Sequence, residues 1–208
     1  TEEALINLLE SDCIEIECKI AKRKAAEVLA RLGFSSAIPA LGKCLKSNDP
    51  YLVENAAWGL QYLKCQDSNL HSLMISLLQN PLQNRRVIIQ SLSSLGVLKS
   101  LPSFKKLLKD RTLSIGIRGA LIAAEYRLTG GSNEISELKD FLKSPNQNAR
   151  HCAVQDVIDS DNNLLLPNVI RAPLSPAFKL KAIDKLFQSN HQEKYDVKIL
   201  KMIDSVMI

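Results

Sequence analysis

The sequence predicts an all-α fold, an α-solenoid (superhelix) of about six helical hairpins closed by a C-terminal capping helix, in one domain over residues 1–208. Three observations point there. Charged residues stand on a regular ladder, Arg23, Glu54, Arg86, Arg118 and Arg150, at steps of 31, 32, 32 and 32 residues. A fixed period of that size marks a repeat array. Within each period apolar residues recur three or four apart, which is one face of a helix. Gly and Pro, eight of each, fall at recurring places rather than in runs.

The first helix of each unit is read from such stripes: Ile38, Leu41, Leu45; Leu70, Leu73, Leu77; Leu101, Phe104, Leu108; Ile135, Leu138, Leu142. Pro39, Pro102 and Pro167 recur early in alternate units. A first turn tolerates proline because its missing N–H has no partner there. Turns follow at Asn48-Asp49-Pro50, Asn80-Pro81, Asp110-Arg111, Ser144-Pro145 and Ala172-Pro173. Their Asp, Asn and Ser side chains suit the cap of the next helix. Second helices are expected over 17–32, 51–63, 84–95, 114–128, 147–159 and 175–188. They end at Leu32-Gly33, Leu63-Lys64, Leu95-Gly96 and Leu128-Thr129-Gly130, where glycine permits a left-handed cap. Small pairs such as Ala25-Ala26, Ala56-Ala57, Gly119-Ala120 and Cys152-Ala153 allow close helix approach. A last helix over 195–207, with Ile199, Ile203 and Val206 on one face, reads as the terminal cap.

Composition narrows the function classes. A hydrophobic content of 46% suffices for one continuous core, and aromatics at 5% leave that core to aliphatic residues. A net charge of +5 suits an anionic ligand or partner but falls short of a dedicated nucleic-acid binder. The densest basic run, Lys19, Lys22, Arg23, Lys24, reads as a solvated helix face. Cys13, Cys18, Cys44, Cys65 and Cys152 lack CxxC spacing, so neither a zinc site nor a disulfide framework is expected, and reduced thiols are. No signal peptide is seen, and no apolar run approaches the roughly 18 residues of a membrane span. The chain does not begin with Met, and trimming at that end is expected.

The helix over 51–63 is the most unusual. Its apolar stripe, Val53, Ala56, Ala57, Leu60, Leu63, leaves Tyr51, Glu54, Asn55, Trp58 and Tyr62 on another face. That face holds the single Trp and two of four Tyr beside a carboxylate. An aromatic wall with a central acid can hold a flat conjugated ligand and pair with its N–H groups. Equally, Trp58 and a Tyr can pack between repeats. Arg86, Arg118 and Arg150, with Arg85 beside the first, suit bidentate carboxylate binding. The same ladder position also serves structural pairs with a neighbouring turn. Glu54 departs from the ladder and so cannot take that role. His71 and His191 lie in polar stretches and are expected to be exposed. His151-Cys152 pairs an imidazole with a thiol, yet adjacent helical residues do not face each other, and Cys152 falls at the small-residue core position. No metal-ligand spacing, GxSxG, HExxH or phosphate-cradling loop is present.

Specific strings narrow the field further. Tyr51-Leu-Val-Glu-Asn-Ala-Ala-Trp-Gly-Leu60 and Asn84-Arg-Arg-Val-Ile-Ile-Gln-Ser-Leu92 resemble segments of the HEAT-repeat, E/F-type phycobilin lyases. Val154-Gln-Asp-Val-Ile-Asp159 and Ala172-Pro-Leu-Ser-Pro-Ala-Phe-Lys-Leu-Lys-Ala-Ile183 resemble the C-terminal portion of that family. The resemblance covers roughly residues 20–208.

It implies a phycobilin lyase or bilin chaperone. Such a protein binds a linear tetrapyrrole, phycoerythrobilin or phycocyanobilin, on its concave face. It directs thioether attachment to a cysteine of a phycobiliprotein α or β subunit. A second HEAT-repeat lyase subunit as heterodimer partner is implied, with no metal or other obligatory cofactor. The implied place of work is the cyanobacterial cytoplasm or the plastid stroma. Under this resemblance Glu54 would meet the pyrrole nitrogens, Tyr51, Asn55, Trp58 and Tyr62 would line the rings, and Arg85, Arg86, Arg118 or Arg150 would take the propionates. Isomerising relatives carry Asn-His-Cys; here the string is Ala149-Arg150-His151-Cys152, so isomerase activity is not carried over. The alternatives are a non-enzymatic HEAT-repeat scaffold or chaperone for phycobiliprotein subunits, and a HEAT-like DNA glycosylase, which the modest charge opposes.

Overall fold

At several helix starts a side chain satisfies a free N–H group of the first turn. Asp49 accepts from the Tyr51 N–H at 3.1 Å, Asp67 from the Asn69 N–H at 2.7 Å, and Asn146 from the Ala149 N–H at 3.2 Å. The computed structural model describes residues 1–189 together with Lys201 and Asp204. The capping helix expected over 195–207, those two positions apart, and His191 lie outside the described residues.

All regular elements among the described residues are helices. They run as six consecutive pairs: α1 (Glu2–Glu10) and α2 (Ile16–Arg31); α3 (Ile38–Cys44) and α4 (Pro50–Tyr62); α5 (Ser68–Leu77) and α6 (Arg85–Ser94); α7 (Leu101–Leu108) and α8 (Ile115–Thr129); α9 (Ile135–Phe141) and α10 (Gln147–Ser160); α11 (Leu166–Arg171) and α12 (Pro176–Ser189). Short 3-10 turns lead into α3, α7 and α11, each of which carries proline at its second residue. Each second helix lies within about one residue of its expected bounds.

Five second helices end on a left-handed residue: Gly33 (φ 78°), Lys64 (53°), Gly96 (72°), Gly130 (76°) and Asp161 (55°). Glycine adopts that conformation at no steric cost, while Lys64 and Asp161 hold it at a cost.

Contacts cluster into two compact units, Thr1–Ser103 and Phe104–Ile208. In the first unit α4 packs on α2 and on α6. Its core holds Ala26, Leu29 and Ala30 of α2, Val53, Ala56, Ala57 and Leu60 of α4, and Ile88, Ile89 and Leu92 of α6. Small residues bring α2 and α4 together: a Cβ on Gly59 would stand 3.3 Å from the Ala30 Cβ. On α5 the buried line is Met74 and Leu78, with the expected Leu70, Leu73 and Leu77 flanking it half-buried. In the second unit α8 packs on α10, and α10 on α12, around Phe104, Leu121, Ile122, Val154, Val157 and Leu186.

Three expectations are corrected. Cys13 and Cys18 are joined as a disulfide rather than left as free thiols, because the short link from α1 to α2 holds their Cα atoms 6.1 Å apart, within bridging range. Cys44, Cys65 and Cys152 are outside any disulfide. His71 is half-buried, its Nε2 lying 2.9 Å from the Cys65 carbonyl oxygen. The run from Lys19 to Lys24 is not one solvated face: Lys22 is buried with its Nζ donating to the Ser11 carbonyl, and Arg23 is ion-paired.

Candidate ligand-binding site

On α4 the buried stripe Leu52, Val53, Ala56, Ala57, Gly59, Leu60 turns the opposite side chains outward. Glu54, Asn55 and Trp58 are half-buried, while Tyr51 and Tyr62 are 62% and 52% exposed. Trp58 is therefore not core. With Glu27 and Arg31 of α2 and Val87 of α6, three of these residues, Glu54, Asn55 and Trp58, line a groove of about 230 Å³. The Trp58 and Tyr62 rings lie 5.2 Å apart, and the Arg31 guanidinium sits 5.5 Å over the Trp58 ring. At the other end of α4, the Arg23 guanidinium covers the Tyr51 ring at 4.6 Å.

The groove's two carboxylates differ. Glu27 accepts from Lys24 Nζ at 2.7 Å and Arg31 Nε at 2.9 Å. The hydrogen bond from Lys24, supported by Arg31, holds Glu27 below the usual carboxylate range. Glu54 makes no ion pair among the described residues, so it remains available to a ligand. Asn55, expected among the ligand-binding residues, donates its Nδ2 hydrogen to the Arg23 carbonyl at 2.9 Å.

The ladder arginines mostly serve the fold. Arg23 grips Asp49 through Nε at 2.7 Å and Nη2 at 2.9 Å. Burial works against the Asp49 carboxylate, but Arg23 and the N–H groups of Tyr51 and Leu52 outweigh it and keep its pKa low. Arg118 is buried; it donates to both Glu137 oxygens at 2.6 and 2.7 Å and to the Leu108 carbonyl at 2.8 Å. Arg150 donates through Nη1 to the carbonyls of Ser144 at 2.7 Å and Pro145 at 3.0 Å. Arg86 is half-buried and already engaged. Arg85 is half-buried and its Nε has no hydrogen-bond partner. Arg118 and Arg150 belong to the second unit, and the groove to the first.

Sequence reading missed Glu27, Arg31 and Val87 as lining residues. The Glu27–Arg31 spacing of i, i+4 was the available signal. Burial pushes the Cys44 thiol up to about 11. Cys152 is half-buried rather than core, while its neighbour His151 stacks on Phe178 with ring centroids 4.4 Å apart. Among the described residues no cluster of His, Cys, Asp or Glu could hold a metal ion, and no helix is long and apolar enough to cross a membrane.

Two repeat models match the chain, the PBS lyase HEAT-like repeat over residues 21–47 and the Armadillo/beta-catenin-like repeat over residues 35–63. The chain is 40% identical over 209 residues to the bilin biosynthesis protein CpeY of a Synechococcus strain, covering 99% of this chain and 49% of that protein. It is 32% identical over 190 residues to an uncharacterized phycocyanin operon protein Y of Pseudanabaena tenuis, covering 91% and 45%. It is 26% identical over 220 residues to the phycocyanobilin lyase subunit alpha of a Nostoc strain, covering 99% and 78%. The chain thus spans about half the length of the first two relatives. Its fold matches a chain in the structure of the complex of CpcE and CpcF of phycocyanin lyase from Nostoc, with a TM-score of 0.81 and 26% identity over 99% of this chain and 82% of that one. In sequence and helical-repeat fold the chain is thus similar to HEAT-repeat phycobilin lyases and to a bilin biosynthesis protein.

Proposed function

We propose that the chain binds a linear tetrapyrrole along the outer face of α4 and presents it for thioether attachment to a cysteine of a phycobiliprotein subunit. The observation that carries this reading is the groove in which an ion-pair-free Glu54 stands one helical turn from Trp58. Pyrrole N–H groups, and more so protonated ones, require a carboxylate acceptor, and the ring system requires an aromatic face. The similarity to a phycocyanobilin lyase subunit and to a bilin biosynthesis protein supports the same ligand class.

Attachment adds a thiol across an exocyclic carbon–carbon double bond of the end ring. A sulfur–carbon bond forms, the π bond is consumed, and the thiol proton passes to the adjacent carbon. No leaving group or electron acceptor is needed. The nucleophile under this reading belongs to the acceptor subunit. Its own residues hold the pigment extended, exclude water and aim the reacting carbon, and such positioning lowers a barrier by several kcal/mol. The likeness to a chain from a two-protein complex supports a second HEAT-repeat chain as partner. The site of action under this reading is the compartment where phycobiliproteins assemble, the cytoplasm or plastid stroma.

The test is Glu54→Gln. Phycocyanobilin bound to the variant absorbs to the blue of the complex with the unaltered chain, because the amide no longer stabilises protonated pyrroles. An identical spectrum removes Glu54 from the site.

A further inference from the structure

A second hollow of about 490 Å³ opens beside the N-terminus of α4. Its walls bring Lys19, Lys22 and Arg23 of α2 against Tyr51 and Asp49. Three cations thus face one carboxylate, and that carboxylate is taken by Arg23. Lys22 is 8% exposed and spends one of its three donors on the Ser11 carbonyl. Lys19 is exposed and has no carboxylate partner among the described residues. Ile14, Pro50 and Leu52 complete the lining with apolar surface. The positive end of the 13-residue α4 points the same way. This is more positive charge, partly buried, than the fold itself uses.

The hollow and the Glu54–Trp58 groove lie along one helix. Tyr51 borders the first and Trp58 the second, and seven residues of helix rise about 10 Å. A linear tetrapyrrole carries its two propionates on its inner rings, a short flexible arm away from the conjugated plane. We infer that this hollow is a carboxylate subsite in which Lys19 and Lys22 hold the tetrapyrrole propionates, a part the ladder arginines, committed to the fold, do not play. Arg23, locked on Asp49, braces the Tyr51 ring between the two compartments. The inference rests on the tetrapyrrole reading above.

The experiment titrates the chain with phycocyanobilin and with its dimethyl ester, which keeps the ring system and removes both carboxylates. The unaltered chain and the Lys19→Ala and Lys19→Arg variants are compared. The expected result is that the acid binds the unaltered chain about tenfold tighter than the ester, as one charge-assisted contact predicts. Lys19→Ala narrows the difference by weakening only the acid, Lys22 keeping its share, and Lys19→Arg restores it. Equal binding of acid and ester, or a difference undiminished in Lys19→Ala, overturns the subsite and leaves the tetrapyrrole reading standing. Binding of neither form overturns both. Inorganic phosphate is the last arm: if it binds the unaltered chain but not Lys19→Ala, while acid and ester bind alike, the hollow belongs to a free anion and the propionate assignment falls.

Discussion

The Asn55 side chain donates to the main-chain carbonyl of Arg23 at 2.9 Å. One bond thus ties α4 to α2 on the face where both helices carry their ligand-facing side chains. It sets the rotation of α4 that buries Val53 and Ala56 and leaves Glu54 and Trp58 at the groove. Asn55 thus braces α4 while also lining the groove. Asn55→Ala is expected to cost about 1 kcal/mol in urea denaturation, with helical content unchanged.

Trp58 is half-buried against Tyr62 and Arg31, so its removal leaves the core intact. Trp58→Ala should weaken phycocyanobilin binding roughly threefold to tenfold, the range of one aromatic contact, with an unshifted thermal transition. Loss of the helical signal in circular dichroism would instead make Trp58 a core residue.

Arg118 is expected to matter for stability and not for pigment. Arg118→Met removes the donor to the Leu108 carbonyl and leaves Glu137 only the longer ion pair with Arg111 at 3.7 Å, at an expected cost of about 2–3 kcal/mol given the partial exposure of Glu137, while bilin affinity stays the same. The pair also sets an acid limit. The hydrogen bond from Arg118 keeps the Glu137 carboxyl below its ordinary 4.5. Its folded pKa being the lower, its contribution is complete above that ordinary value and disappears as pH falls through the depressed one. The urea midpoint therefore drops as the pH falls below that ordinary value, and drops less in Arg118→Met.

Lys64 and Asp161 occupy the left-handed helix ends that glycine holds at positions 33, 96 and 130. Lys64→Gly and Asp161→Gly should each raise stability by about 0.5–1 kcal/mol, the relief of an αL side chain less the extra entropy of glycine. Gly33→Ala should lower it. Thermal melts of the three variants decide the point.

Gly119 faces a fully buried carboxylate: a Cβ built on it would stand 2.2 Å from Asp156 Oδ2. Gly119→Ala is expected to destabilise by about 1–3 kcal/mol. Adding Asp156→Ala removes the obstacle, and chemical denaturation of the double variant should show a cost smaller than the sum of the two single changes.

The helices were legible because their ends carry local chemistry. Asp49 before Pro50 starts α4 and Gly130 ends α8, and neither depends on the rest of the chain. Lys64 and Asp161 were not legible as left-handed ends, since nothing in a Lys or Asp marks that conformation locally. The face of α4 followed from spacing, and Glu54 stood out by breaking the ladder. The ladder arginines were harder. Whether Arg118 reaches out or inward depends on Glu137, nineteen residues on and in another helix, and no period encodes that pairing. The burial of Lys22 likewise depends on where the end of α1 places the Ser11 carbonyl.

Trp58 is the single tryptophan of the chain, so its emission reports the groove alone. The decisive measurement is a titration of the chain with phycocyanobilin that follows Trp58 fluorescence and pigment absorbance together. Binding at the α4 face predicts saturable quenching of Trp58 in step with a red-shifted, brightened pigment spectrum, the spectral shift lost in Glu54→Gln. A pigment spectrum that shifts while Trp58 emission stays constant, or no change in either, contradicts that site.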